Sequence, residues 1–240
     1  MPIPMSTRST TRKALKSAAV LTVAMIVGAC GGGSPQARSI TLTFIRHAQS
    51  ESNAAGLINT AEPGPGLTPQ GEEEAHQLAR GPHDFDGVYA STMVRTQQTA
   101  APMAAELHRQ VEVLPGVQEI GAGWFEGKPD STAASTYLLA PADWLNGDLA
   151  DSIPGSISGR EFNQRFTAAV NKVYDSGHSR PVVFSHLNSI MYWVLLNTQN
   201  SKHSLATSHP LPNIGRVVIT GNPATGWTLV DWDGIRDFQG

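Results

Sequence analysis

Two histidines and two arginines in this 240-residue chain stand where an anion would be handled. Arg46-His47 closes the run Ile40-Thr41-Leu42-Thr43-Phe44, whose two-residue alternation is that of a strand with one buried face. His186 closes a second, wholly apolar run, Pro181-Val182-Val183-Phe184-Ser185. Arg95 falls in the first turn of a helix expected from a Ser91-Thr92 cap to Leu107. Free N–H groups and the macrodipole attract anions to such a turn and disfavour a lone cation. A bound anion between the helix end and the guanidinium accounts for an arginine there. Open α/β sheets bind ligands in the crevice beyond the carboxyl ends of their strands. His47 at a strand end therefore reads as a phosphate-handling nucleophile, with Arg46, Arg95 and His186 converging on the same crevice. No P-loop and no Cys/His metal pattern occurs, so ATP hydrolysis and zinc find no support, and no cofactor or metal is expected.

The elements that must position these groups alternate between strands and helices. Thr68-Pro69 followed by three glutamates marks a helix start, and that helix runs to about Arg80. Short strands are expected at Asp86–Ala90 and Val111–Leu114. Phe162, Phe166, Ala169, Val170, Val173 and Tyr174 recur at helical spacing from Ser158 to Gly177. Leu187 to Leu196 is apolar enough for a buried helix, and Val217–Thr220 with Trp227–Val230 reads as a closing hairpin. Between them, the Gly-rich stretch Glu119 to Gly127 reads as a shaped loop carrying two carboxylates, and Lys128 to Pro154 as an excursion covering the crevice. The fold class is α/β, a three-layer α/β/α sandwich with a mostly parallel central sheet.

The amino-terminal segment reads differently. Arg8, Arg12, Lys13 and Lys16 precede an apolar run too short for a mature membrane span, which is the layout of a secretory signal. The run ends at Val27-Gly28-Ala29-Cys30, which resembles the lipobox of bacterial lipoproteins, and in that family the cysteine becomes the acylated first residue. Cys30 is the chain's one cysteine, so no internal disulfide competes for it, and Gly31-Gly32-Gly33-Ser34-Pro35 supplies a tether. The expected organisation is a signal peptide over 1–29, a lipidated Cys30 with linker over 30–38, and one domain over 39–240. This implies export, with the protein lipid-anchored to the cell membrane. Residues 30–240 hold 13 basic and 20 acidic residues, a net charge of −7, which gives no basic face for nucleic acid. The oligomeric state is left open.

At Arg46-His47-Ala48-Gln49-Ser50-Glu51-Ser52-Asn53 the chain resembles the histidine phosphatase superfamily, the phosphoglycerate-mutase-like group, whose signature is Arg-His-Gly-Glu-Ser-x-x-Asn. Four further motifs follow in order: Leu67 to Gly71, Ser91 with Arg95 and Thr99, Glu119 with Gly123 and Gly127, and Ser185-His186. The resemblance implies a metal-independent phosphomonoesterase working through phosphohistidine. It implies that His47 attacks phosphorus, that Arg46, Asn53, Arg95 and His186 surround the phosphoryl group, with Gln49 also binding phosphate or substrate, and that Glu119 is the general acid and base. Glu126 is the competing acid. Ala48 and Leu187 stand where the family has glycine, and Pro154-Gly155-Ser156-Ile157-Ser158 lacks the family's usual Glu; these departures bear on substrate rather than chemistry. The alternatives are a phosphoglycerate mutase and a non-catalytic surface lipoprotein that binds phosphorylated ligands.

The expected substrate is a small phosphorylated molecule. A second anionic group needs a second cation cluster in a dry crevice. No Lys or Arg occurs between Arg46 and Arg80, and only Lys128 between Arg109 and Arg160. The same segments carry Leu57, Ile58, Trp124, Phe125, Leu138, Leu139, Trp144 and Leu145. Monophosphates with a neutral or partly apolar remainder are therefore expected, rather than phosphoglycerates or bisphosphates.

Overall fold

The computed structural model describes residues 37–238. The expected signal peptide and Cys30 lie outside them. Six strands, β1 (Ile40–Arg46), β2 (Gly87–Ala90), β3 (Val111–Val113), β4 (Pro181–Ser185), β5 (Arg216–Asn222) and β6 (Gly226–Trp232), form one sheet in the order β3-β2-β4-β1-β5-β6. The β1–β4, β4–β2 and β2–β3 pairs are parallel, while β5 and β6 join as an antiparallel edge. The helices are α1 (Glu51–Ala54), α2 (Pro69–Ala79), α3 (Val94–Glu106), α4 (Leu139–Leu145), α5 (Gly159–Asp175), α6 (Leu187–Asn197) and α7 (Leu205–Ser208). Among the described residues no helix is long and apolar enough to cross a membrane.

Both faces of the sheet are covered. On one, Ile40, Leu42 and Phe44 meet the buried stripe of α5 and the apolar α6; the Phe44 ring lies 5.7 Å from both Phe166 and Trp193. On the other, Ile45, Val88, Val182 and Phe184 meet Ala79, Ala100, Met103 and Ala104 of α2 and α3. The alternation in β1 predicts Thr41 and Thr43 facing water. Thr41 does, but Thr43 is buried because a central strand of a three-layer fold has no wet face. The α5 stripe is fixed at its start by a capping box in which Ser158 and Glu161 bond each other's backbone N–H.

Two expectations about elements change. The Ser91-Thr92 cap is not formed: α3 begins at Val94, and its N-cap, Met93, offers no side-chain hydrogen bond. Ser91 is occupied elsewhere, as described below. Trp144 does not wall the crevice; it is fully buried, stacked on Phe162 at 5.5 Å, and its Nε1 donates to the Asp151 carbonyl at 3.0 Å. Trp124 (77% exposed) and Leu139 (56% exposed) face solvent outside the crevice.

Candidate active site

The parallel register decides what meets at the end of the sheet. Arg46 pairs with Ser185, and the His47 N–H donates to the Ser185 carbonyl at 3.0 Å. His47 and His186 therefore emerge side by side, with ring centroids 5.2 Å apart and planes at 61°. His47 is 4% exposed and His186 fully buried.

Each ring is oriented by its neighbours. His47 Nδ1 lies 2.8 Å from the Ala48 carbonyl, which only accepts, so Nδ1 carries the proton. That leaves the Nε2 lone pair, which accepts a hydrogen bond from Arg95 Nε at 3.0 Å. Burial, then the charges of Arg95 and Arg46, hold the His47 imidazole well below its ordinary pKa and keep it neutral. His186 is held low by burial and by Arg95, His47, Arg165 and Arg46. Its Nε2 lies 2.8 Å from Ser91 Oγ, and its Nδ1 is buried without a partner. The loop after β1 is pinned by Thr99, whose Oγ1 donates to the Arg95 carbonyl and accepts from the Ala48 N–H. Ala48 sits in a small apolar pocket with Leu67 and Ala75, and its backbone is not among the positive-φ positions, so a Cβ is tolerated there.

A cleft of about 220 Å³ opens at this point. Arg46, His47, Asn53, Arg95 and Glu119 line it, along with Asn59, Asp130, Tyr137 and Asn188. Arg95 is 2% exposed, and neither arginine has an ion pair among the described residues. Among the described residues, Arg46 Nε and Arg95 Nη1 are buried donors without acceptors. Buried donors left empty in this way are costly, and an anion in the cleft would satisfy them.

Glu119 is 8% exposed and is gripped by the start of α6. Oε1 accepts from the Ser189 N–H at 2.9 Å, Ser189 Oγ at 3.0 Å and the Ile120 N–H at 2.9 Å, whereas Oε2 has one long contact, 3.3 Å from the Asn188 N–H. Oε2 is thus the oxygen left for the cleft. Glu126 does not line the cleft; it binds Thr60 through that residue's N–H and hydroxyl. Gln49 does not line it either, because its Oε1 accepts from Thr68 Oγ1 at 2.7 Å. Asn53 does, although its Oδ1 is used by the Ser50 N–H and by Asn213. Of the expected apolar wall, Leu57, Ile58 and Leu138 reach the cleft.

Sequence reasoning did not single out Asn59, Tyr137 or Asn188 as site residues. Asn188 Nδ2 donates to the Tyr137 hydroxyl at 2.8 Å, which ties the excursion to α6. Only Tyr137 carried a signal, as part of an apolar cluster in a segment expected to cover the crevice.

With this geometry in hand, the comparisons with known proteins are informative. A family model for the histidine phosphatase superfamily (branch 1) matches residues 42–233. The chain belongs to that superfamily. The PE-PGRS family protein PE_PGRS11 of Mycobacterium tuberculosis is 43% identical over 224 residues, covering 85% of this chain and 38% of that protein, so the chain spans well under half of that relative. The adenosylcobalamin/alpha-ribazole phosphatase of Escherichia coli is 28% identical over 149 residues, 60% of this chain and 72% of the relative. Among solved structures, a mycobacterial glucosyl-3-phosphoglycerate phosphatase superposes with a TM-score of 0.68 at 17% identity, covering 82% of this chain and all of that one. The mixed six-stranded sheet with its helices is the phosphoglycerate-mutase-like α/β fold.

Proposed function

We propose that the chain is a phosphomonoesterase that works through a phosphohistidine. The observation that carries this reading is the disposition of His47: a neutral ring, its Nδ1–H on the Ala48 carbonyl, with its Nε2 lone pair 3.0 Å from the guanidinium of Arg95. Phosphoryl transfer needs a positioned nucleophile and positive charge on the equatorial oxygens more than covalent ingenuity. Arg46, Arg95 and Asn53 line the cradle, while His186, fully buried with its Nε2 on Ser91 Oγ, stands beside His47 outside the lining. Nε2 attacks phosphorus in line, the P–O bond to the alcohol breaks, and the leaving oxygen takes a proton from Glu119 Oε2. A water then attacks the phosphoenzyme, gives its proton to Glu119, and the P–N electron pair returns to Nε2.

The cleft supports substrates with one anionic group. Apart from Arg46 and Arg95 no Lys or Arg among the described residues lines it, which disfavours the mutase reading. Labelled substrate quenched rapidly without acid should trap a phosphoenzyme that survives alkali but not acid, and His47→Ala should abolish it. Undiminished labelling of that variant would refute the assignment. The anchor is likewise proposed, from the basic-then-apolar leader and Cys30. Cys30→Ala is expected to move the protein out of the membrane fraction of a producing cell, and its retention there would refute the anchor.

A further inference from the structure

Beyond the phosphate cradle, the outer half of the cleft has a charge of its own. Its cations, Arg46 and Arg95, both belong to the cradle, and the Oε2 of Glu119 is committed to proton transfer there. The one remaining ionisable group on the lining with a full charge is Asp130, on the lip of the excursion beside Gly56. Its backbone is tied to the Gly56 carbonyl at 2.9 Å, but its carboxylate has no ion pair among the described residues. A carboxylate without an ion pair, on the lip of a cleft whose cations both lie in the cradle, calls for a donor carrying positive charge.

We propose that Asp130 is a specificity-determining residue, and that the cleft favours phosphomonoesters of alcohols that carry an ammonium group. This rests on the phosphomonoesterase reading above and sharpens it: the remainder is not merely free of a second anion but cationic. The phosphate enters the arginine cradle while the ammonium faces Asp130, so the two ends of the substrate meet opposite charges. Because Asp130 is exposed, the preference is of the size of a solvent-accessible ion pair and weakens with salt.

Specificity constants for O-phosphoethanolamine, propyl phosphate and phosphoglycolate, substrates of similar size that differ in charge, test this directly. The wild-type chain is expected to favour O-phosphoethanolamine over propyl phosphate by about twofold to fivefold at low salt, falling toward one at high salt. Asp130→Asn should bring that ratio to about one, and Asp130→Lys should raise phosphoglycolate above propyl phosphate. A wild-type ratio of one, or a ratio that Asp130→Asn leaves in place, would overturn the assignment while leaving the phosphatase reading intact. Failure to hydrolyse any of the three, or an aryl phosphate, would overturn both.

Discussion

On the proposed reading Arg95 has two jobs at His47, and its removal separates them. Arg95→Met keeps most of the side-chain volume while deleting a buried guanidinium that has no ion pair among the described residues. Because the variant also loses the hydrogen bonds of Arg95 to His47 and to the Asn59 carbonyl, its urea unfolding is compared with that of the wild-type chain, and an equal midpoint makes loss of activity a report on chemistry. The first job is to stabilise charge on the transferring phosphoryl group. Losing one preorganised stabiliser costs roughly a hundredfold to a thousandfold in rate. The second is electrostatic: after burial, Arg95 is the largest influence holding the His47 imidazole low, ahead of Arg46. Without it the His47 pKa rises, so more of the nucleophile is protonated in mild acid and the acidic limb of kcat/KM moves to higher pH. The ratio of wild-type to variant kcat/KM on p-nitrophenyl phosphate should therefore be larger near about pH 5 than near about pH 8, and the substrate's own ionisation cancels in that ratio. A loss below about tenfold, or one that is uniform across this range, would refute the reasoning.

Glu119→Gln should slow alkyl phosphates far more than aryl phosphates, whose leaving oxygen needs little protonation; equal losses on both would exclude Glu119 as the proton donor. Gly71→Ala should destabilise the chain by about 1–3 kcal/mol in urea unfolding, because a Cβ there would lie 2.0 Å from the Gln49 carbonyl oxygen in the loop after β1. Unchanged stability would show that this loop gives way freely, which its pinning by Thr99 argues against.

The strand-end residues were legible because their signals are local. The β1 and β4 runs are apolar and bounded, and parallel pairing brings His47 to His186 without further information. Arg95 was legible as a cation in a first turn, even though the helix starts at Val94 without the expected serine cap. Ser91 is spent on His186 and Thr96 instead, a demand that arises only when β4 and the α3 entry meet. Gln49 misled because the motif fixes its position in the chain, while its direction is decided by Thr68 from α2's start. The outer wall was the least legible part. Lys128 to Pro154 has weak periodicity, and nothing local separates Trp144, driven into the core against Phe162, from Leu138, which reaches the cleft. Asn59 and Asn188 lie far apart in sequence and become neighbours of one cleft only through the tertiary fold.

The strand-to-helix junction at β4 and α6 carries two parts at once: His186 stands at the N-cap position of α6, and the N–H groups of that helix's first turn hold Glu119. Asp130, Ala133, Tyr137 and Leu138 instead come from the separate excursion, whose lining side chains meet α6 through the Asn188–Tyr137 hydrogen bond. On the proposed reading, the reacting groups and the outer wall therefore sit on separate pieces of chain. Exchanging the exposed side chains of the excursion, Asp130 among them, is a way to alter what enters the cleft while the junction and its hold on Glu119 stay as they are.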